Sequence, residues 1–235
     1  MKWRLSDVWW TVIPWILQTL VWIPTQILLR FFLHFRVEGY ERIKHVRGPV
    51  IFVSNHTSYW DPIMVAAALP FFSRLYPMMY IVRERDYYTP GKKFIGGSSF
   101  KMWGAHVAHG GLRNYERSLK NHLHLLNQGR SVCMFPEGSM SKEKGVIQPF
   151  KGGVGYLAHH SKATIVPVSI TDMFQVTAKD FFSRKRHAKL TFGEPLSCAG
   201  VCISASPTVE DYKRVASVIH QKVEELLKRK YNNHI

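Results

Sequence analysis

After residue 36, short apolar runs alternate with segments of helical spacing, and this alternation constrains the fold more than any other feature. Apolar, β-branched runs such as Val50–Ser54 predict buried strands. Alternating strands and helices predict one α/β domain over residues 36–235, with a mixed central sheet flanked by helices. The other predicted strands are Met78–Val82, Ser131–Phe135, Thr164–Ile170 and Ala188–Phe192, and the predicted helices are Ile63–Leu69, Leu112–Asn127, Gly153–His160 and a last helix opened by Pro207 and Thr208, with Asp211 as capping-box partner.

Residues 1–35 differ from the rest and predict a separate membrane-binding helical element. The chain is apolar from residue 8 onward, and five of its seven tryptophans lie in the first 22 residues. Pro14 and Pro24 disfavour one uninterrupted helix, while Gln18 and Arg30 would be costly in the middle of a bilayer. A kinked transmembrane helix and a helical hairpin within one leaflet both fit this segment, and we favour the hairpin.

The net charge of +16 restricts the partners that we expect. Such a surface attracts nucleic acid, an anionic membrane surface or an acidic donor molecule. The chain has no recognised nucleic-acid motif, so we expect no nucleic-acid partner. Basic residues at 36–47 follow the apolar segment and place the downstream domain on the cytoplasmic face of the membrane. Cys133, Cys198 and Cys202 predict neither a disulfide framework nor a metal site.

The first predicted strand leads into a loop with His56, and Asp61-Pro62 follows five residues later. Positions five apart on a regular helix differ by about 140° around its axis, so these side chains meet only if a turn separates them. Asp61 as N-cap and Pro62 as first helical residue would begin the next helix and leave His56 in the loop. The carboxylate could then accept from one imidazole nitrogen while the other faces substrate. Helix capping alone explains Asp-Pro equally well.

Three further motifs lie near predicted strand ends. Residues 135–139 form a Phe-Pro-Glu-Gly-Ser turn with Glu137 at its apex. Residues 149–153 begin the next helix, and their amides with Lys151 can take an anion, or the glycines merely permit tight packing. Pro167 interrupts a predicted strand, which indicates an edge strand or a bulge.

Together these motifs resemble the glycerolipid acyltransferase family, of the 1-acyl-sn-glycerol-3-phosphate acyltransferase type. The similarity rests on Asn-His-x-x-x-x-Asp, Phe-Pro-Glu-Gly-Ser, Pro-Phe-Lys-x-Gly and Val-Pro-Val in this order, and it covers roughly residues 36–195. It implies transfer of a fatty acyl group from acyl-CoA or acyl-carrier protein to the free hydroxyl of 1-acyl-sn-glycerol-3-phosphate, giving phosphatidic acid in phospholipid synthesis. It implies no metal and no bound cofactor.

The resemblance also implies roles for individual residues. His56 would be the general base that takes the proton from the acceptor hydroxyl. Asp61 would orient the imidazole and stabilise its charge. Substrate binding would fall to Glu137, Gly138, Ser139 and Lys151.

Two departures from the family pattern concern the acceptor. Members that take a phosphorylated glycerol commonly carry an arginine two residues after Glu-Gly, where this chain has Met140. The arginine expected near His109 is also missing. A different acceptor, such as another lysophospholipid or a lyso-aminolipid, therefore stays open. The residues that could replace the arginines and bind a phosphate are Lys142, His109, Arg113 and Lys101.

Two other classes of function are weaker alternatives. The basic stretch at 184–187 and the basic C-terminal tail would suit a non-catalytic module that binds anionic membrane. Hydrolysis with Ser139 as nucleophile is disfavoured, because the chain has no Gly-x-Ser-x-Gly elbow.

Overall fold

The computed structural model describes residues 5–84, 98–109, 114–197 and 206–232. Arg113, Cys198 and Cys202 lie outside these ranges. The strands are β1 (Arg36–Glu38), β2 (Val50–Ser54), β3 (Met78–Arg83), β4 (Ala105–Ala108), β5 (Ser131–Met134), β6 (Thr164–Thr171) and β7 (Lys189–Phe192). The helices are α1 (Leu5–Leu33), α2 (Tyr40–Ile43), α3 (Asp61–Ala67), α4 (Ser98–Met102), α5 (Tyr115–Asn127), α6 (Gly153–Ser161), α7 (Ala178–Phe182) and α8 (Val209–Asn232).

The seven strands form one mixed sheet in the order β1-β7-β6-β2-β5-β3-β4. The five strands from β6 to β4 are parallel, whereas β7 is antiparallel to β6 and parallel to β1. Side chains from α1, α3 and α7 share one buried cluster, and those from α5, α6 and α8 share another. The predicted α/β fold with a mixed sheet flanked by helices is confirmed.

All five predicted strands are confirmed to within one residue at either end. The two that were missed, β1 and β4, are the edge strands of the sheet. Each has at most four residues. β1 is mostly exposed and β4 is mostly only partly buried, so each lacks the continuous apolar run of a central strand. The predicted capping box of α8 is also confirmed, since Thr208 Oγ1 accepts from the Asp211 amide and the Asp211 carboxylate accepts from the Thr208 amide.

Pro167 lies within β6, which is a central strand, so the predicted edge position is wrong. The pairing of β6 with β7 joins Val168 to Phe192, but the next bridge joins Ile165 to Leu196. Three steps along β6 therefore face four steps along the opposite segment. That mismatch is a bulge, and a proline, which has no amide donor, is tolerated there.

The N-terminal segment is one helix, α1, with Pro14 and Pro24 inside it, so the favoured hairpin is wrong. Contacts with the domain support the helix along its length and offset the two missing donors. Gln18 bonds both the amide (2.9 Å) and the carbonyl (2.8 Å) of Met78, and Gln26 Nε2 donates to the Ala67 carbonyl. Among the described residues, the stretch from 10 to 33 is the one helical segment long and apolar enough to cross a membrane by length and composition.

Two histidines, His122, which is fully buried, and His106, which is partly buried, lie where α5 packs on β4. His122 Nε2 lies 3.1 Å from the His106 carbonyl, and within the described part of the chain the buried atoms His106 Nε2 and His122 Nδ1 have no hydrogen-bond partner. Burial lowers the pKa of His106 to about 4 and that of His122 to about 3. Both side chains are therefore neutral in the fold at pH values where the unfolded chain binds protons.

We predict that His122→Gln makes the protein less sensitive to acid. As pH falls below about 6.5, the wild type loses stability because unfolding lets the histidines take up protons, at up to ~1.4 kcal/mol per pH unit for each. The variant should lack the part of this pH dependence of stability that His122 causes. Denaturant unfolding in detergent between pH 7 and pH 4 measures this slope, and His124→Gln, an exposed position on the same helix, is the control. Equal slopes in the wild type and His122→Gln would contradict the prediction.

Candidate active site

The site lies where the parallel strands β2, β5 and β3 end. After β2, the Asn55 side chain donates to the Ile170 carbonyl (2.9 Å) and accepts from its amide (2.8 Å), which ties the following loop to β6. The next residue, His56, places Nδ1 at 2.9 Å from Asp61 Oδ2. The Asp61 side chain is fully buried, whereas that of His56 is 21% exposed. The two side chains predicted to pair are therefore brought together, with the imidazole at the surface.

Asp61 does not cap α3 as expected. The N-cap position is Trp60, and the carboxylate turns back to the loop that precedes the helix. It accepts from the Thr57 amide, from the Ser58 amide (2.8 Å) and from Ser58 Oγ (2.7 Å). Because a buried carboxylate needs several hydrogen-bond donors, the loop donors hold it in one orientation beside His56.

This arrangement selects the tautomer of the neutral histidine ring. Since Asp61 accepts at Nδ1, that nitrogen carries the proton and Nε2 is the basic nitrogen. The ring stacks on Phe135, with ring centroids 4.4 Å apart. Among the described residues, Nε2 has no hydrogen-bond partner. The geometry can thus present an unprotonated nitrogen to a hydroxyl group.

Glu137 connects the turn after β5 to the histidine loop. Its Oε1 accepts from the His56 amide (2.7 Å), and its Oε2 accepts from the Gln148 amide (2.8 Å) and from Ser141 Oγ (3.0 Å). Burial raises the pKa of Glu137, and these hydrogen bonds oppose that effect. The Ser141 amide also donates to the His56 carbonyl (2.7 Å). Both carboxylate oxygens are engaged by the protein, which favours a positioning role for Glu137; substrate binding by this residue stays a prediction.

Two cations meet at the next residue of the turn. Gly138 has φ 75°, a left-handed conformation that favours glycine, and the Lys151 side chain lies where a Cβ atom would be. Arg83 Nη1 donates to the carbonyl of the same residue, Gly138 (2.7 Å). Sequence reasoning missed Arg83, the last residue of β3. The sequence does show a basic residue at the end of an apolar strand. It does not show that β3 lies next to β5, which is what brings Arg83 to the turn.

The other predicted substrate-binding residues lie at different distances from the turn, and Arg113 lies outside the described ranges. His109 follows β4, two strands away from β5 and so roughly 10 Å across the sheet, and its Nδ1 lies 3.4 Å from Glu84 Oε1. Lys142 is exposed in the loop after the turn, and Ser139 is partly exposed beside Gly138. Lys101 Nζ lies 3.9 Å from the ring centroid of Trp10 in α1.

No cluster of three or more His, Cys, Asp or Glu side chains with the arrangement of a metal site occurs in the described ranges.

A family model described as Acyltransferase matches residues 34–171, more than half of the chain. The chain belongs to the acyltransferase family. The matched segment runs from the end of α1 to the end of β6 and contains His56, Asp61 and Glu137.

Individual acyltransferases are similar over parts of their length. The chain is 27% identical to the chloroplastic 1-acyl-sn-glycerol-3-phosphate acyltransferase of Arabidopsis thaliana over 139 residues, which are 59% of this chain and 36% of that protein. It is 26% identical to the 1-acyl-sn-glycerol-3-phosphate acyltransferase of Streptococcus pneumoniae over 186 residues, 78% of this chain and 63% of that one. The chain thus spans between a third and two thirds of the length of these relatives.

A solved acyltransferase structure has the same fold. The 1-acyl-sn-glycerophosphate acyltransferase PlsC of Thermotoga maritima superimposes with a TM-score of 0.59, covering 89% of this chain and 81% of that chain at 22% sequence identity. At this identity the likeness shows the fold alone.

Proposed function

We propose that the chain transfers a fatty acyl group from an acyl thioester to the free hydroxyl of 1-acyl-sn-glycerol-3-phosphate, giving phosphatidic acid. The observation that carries the proposal is the 2.9 Å contact between His56 and a buried Asp61, with Nε2 left for substrate. Acyl-CoA and acyl-carrier protein are both acidic, and both suit a chain of net charge +16 as donors.

The proposed reaction needs only proton transfer and acyl transfer. His56 Nε2 takes the proton of the acceptor hydroxyl as its oxygen attacks the thioester carbonyl. Asp61 stabilises the imidazolium that forms, because Nδ1–H already points at its carboxylate. The tetrahedral intermediate collapses, the C–S bond breaks, and the departing thiolate takes up the proton from His56. A positioned base of this kind contributes roughly 10²–10⁴ in rate.

Arg83 and Lys151 support a phosphate-bearing acceptor. They flank Gly138, one residue after the carboxylate that holds the His56 amide. A phosphate bound between them would bring the glycerol hydroxyl towards Nε2. In this proposal they replace the family arginines that are absent at Met140 and around His109, and Arg83 supplies the planar donor fork that a lysine lacks.

The acceptor is tested by offering the purified protein a labelled acyl thioester with one lysolipid at a time. We expect phosphatidic acid from lysophosphatidic acid, and little product from lysophosphatidylcholine or a lyso-aminolipid. Robust acylation of those two, with none of lysophosphatidic acid, would replace this acceptor by the alternative that the missing arginines raise. Running acyl-CoA and acyl-carrier protein donors in parallel identifies the donor.

We predict that Arg83→Ala raises the KM for lysophosphatidic acid by roughly 10- to 100-fold, the effect of losing one charge-assisted hydrogen bond. The kcat should change much less, because the described hydrogen bond of Arg83 goes to the Gly138 carbonyl and not to His56 or Asp61. Arg83→Lys should recover part of the loss, since it restores charge without the fork. Steady-state kinetics measure this split, with Arg117→Ala, an exposed arginine on α5, as the matched control. An unchanged KM in Arg83→Ala would remove Arg83 from the acceptor site.

We propose that α1 lies in the plane of one leaflet, with the catalytic domain on the cytoplasmic face. Its polar side chains Gln18 and Gln26 bond the domain, whereas Leu20 and Ile27 are 69% and 63% exposed on the outer face. A helix held by the domain along its length presents only that apolar face to lipid. Trp60 of the histidine loop stacks on Phe181 at 4.8 Å, and Phe181 packs on Phe32 of α1 at 4.9 Å, so the site lies close to the helix.

Spin labels at positions 20 and 27 test this orientation. An in-plane helix puts both labels at similar depth in the bilayer. A spanning helix separates them by about 10 Å along the membrane normal, the rise of seven residues. Equal depths are expected, and a separation close to the full rise would show that α1 spans.

A further inference from the structure

A cavity of about 340 Å³ lies at the opposite edge of the sheet from His56. Its walls are α2 with the residues that follow it, up to Arg47, and the segment at residues 70–75 after α3. Both segments lead into the amino ends of parallel strands, β2 and β3, whereas the candidate active site follows their carboxyl ends. Since β2 has five residues, the two edges are roughly 16 Å apart. The cavity is therefore separate from the candidate active site.

The lining of this cavity combines positive charge with apolar surface. Lys44, Arg47 and Arg74 are exposed cations at the cavity, and none of its lining residues is acidic. The buried side chains of Ile43 and Leu75 contribute apolar wall. Two arginines and a lysine beside an apolar wall are complementary to an anion that is attached to hydrocarbon.

The cavity also adjoins the helix that we place in the leaflet. Phe71, in the cavity wall, contacts the ring of Trp22 in α1 with centroids 5.4 Å apart, and Trp22 Nε1 donates to the Leu69 carbonyl (3.0 Å). Phe72, the next lining residue, is 89% exposed, and Ile23 of α1 is exposed beside Trp22 in the chain. Exposed apolar side chains at this end of the cavity suit the boundary between acyl chains and headgroups.

We propose that this cavity binds the phosphate headgroup of an anionic phospholipid from the leaflet that holds α1. The proposal rests on the proposed position of α1 and adds a lipid that is neither acceptor nor product. The volume falls within the usual range of small-molecule sites, and the three cations supply the charge complementarity. Such a lipid would fix the rotation of α1 in the leaflet and so the position of the candidate active site relative to the membrane.

Co-sedimentation with vesicles tests this proposal. The wild type, Arg47→Ala/Arg74→Ala and the matched variant Lys179→Ala/Lys185→Ala are compared on phosphatidylcholine vesicles with and without phosphatidylglycerol. The matched variant removes the same charge from exposed positions in and just after α7, which packs on α1 but lies outside the cavity. We expect the cavity variant to lose roughly 10²-fold or more in affinity for the anionic vesicles, the effect of two charge-assisted hydrogen bonds. The matched variant should lose about 25-fold or less, the effect of two charges near an anionic surface. Binding of the cavity variant to phosphatidylcholine alone should stay at the wild-type level.

Four outcomes would overturn the cavity as a headgroup site. Equal losses in the two double variants would show diffuse charge attraction, and an unchanged cavity variant would show no contribution at all. Tight binding of inorganic phosphate by the wild type that is lost in the cavity variant, while vesicle binding of that variant is retained, would indicate a site for the free ion. A wild type that binds neither kind of vesicle would also contradict the proposed position of α1 in the leaflet. Acyl transfer to lysophosphatidic acid in detergent tests the proposed function independently of membrane binding.

Discussion

Replacing His56 by alanine should lower the kcat for acyl transfer by roughly 10²–10⁴, the contribution of a positioned general base. The loss should appear in kcat rather than in KM, because Arg83 and Lys151, which are proposed to hold the acceptor, are untouched. The His56 side chain is partly exposed, and its described hydrogen bond goes to the Asp61 side chain rather than to the backbone. The substitution should therefore leave the fold intact. Initial rates at saturating lysophosphatidic acid measure the effect, and circular dichroism checks the fold.

His109→Ala is the matched control for this substitution. His109 lies at the same edge of the sheet but pairs with Glu84, two strands from the turn that holds His56. We expect it to retain most of the wild-type kcat. A His56→Ala variant that is folded and fully active would remove His56 as the base.

Asp61→Asn should lower kcat by up to about 10⁴, because a neutral amide no longer stabilises the imidazolium or fixes the tautomer of His56. The amide oxygen can take the place of Oδ2 and accept from His56, Thr57 and Ser58, while the NH₂ group can donate to Ser58 Oγ. The variant should therefore fold close to normally.

Asp61→Ala separates this charge effect from a structural one. It removes the acceptor of several buried donors, each of which costs about 1–3 kcal/mol when left unsatisfied. We expect a clear loss in the free energy of unfolding together with inactivity. Denaturant unfolding and kinetics on both variants give the comparison, and an Asn variant with wild-type kcat would show that the charge of Asp61 is not needed.

The central strands could be predicted from sequence because burial on both faces leaves a local mark. Val50–Ser54 is a short run of mainly β-branched, apolar residues, and such a run is typical of a strand that is buried on both faces. The edge strands Arg36–Glu38 and Ala105–Ala108 leave no such mark. They pair on one side only and stay partly exposed, so their few residues resemble a loop.

The pairing of His56 with Asp61 could be anticipated, but not the way in which it is held. In the sequence, Asp61-Pro62 is typical of a helix cap. Only the folded structure shows that the Thr57 and Ser58 amides donate to the Asp61 carboxylate. Arg83 was out of reach for a different reason. Its contact with Gly138 spans 55 residues and depends on β3 lying next to β5, which no local pattern reveals.

The length of α1 shows the limit of proline as a signal. Pro14 and Pro24 each remove a backbone donor, and by local rules they break a helix. Here the hydrogen bonds from Gln18, Trp22 and Gln26 to the domain hold the helix on both sides of Pro24. Tertiary contacts of this kind outweigh local propensity, and they cannot be inferred before the partner surface is known.

The stoichiometry of thiol release and ester formation tests the central claim most directly. The purified protein is given a labelled acyl thioester and lysophosphatidic acid, and free thiol and labelled phosphatidic acid are followed together. We predict that the two rise in equal amounts and that neither forms in His56→Ala above background. Thiol release without labelled phosphatidic acid would identify a hydrolase, and no thiol release by the wild type with any acceptor would contradict the assignment of His56 and Asp61 as the catalytic pair.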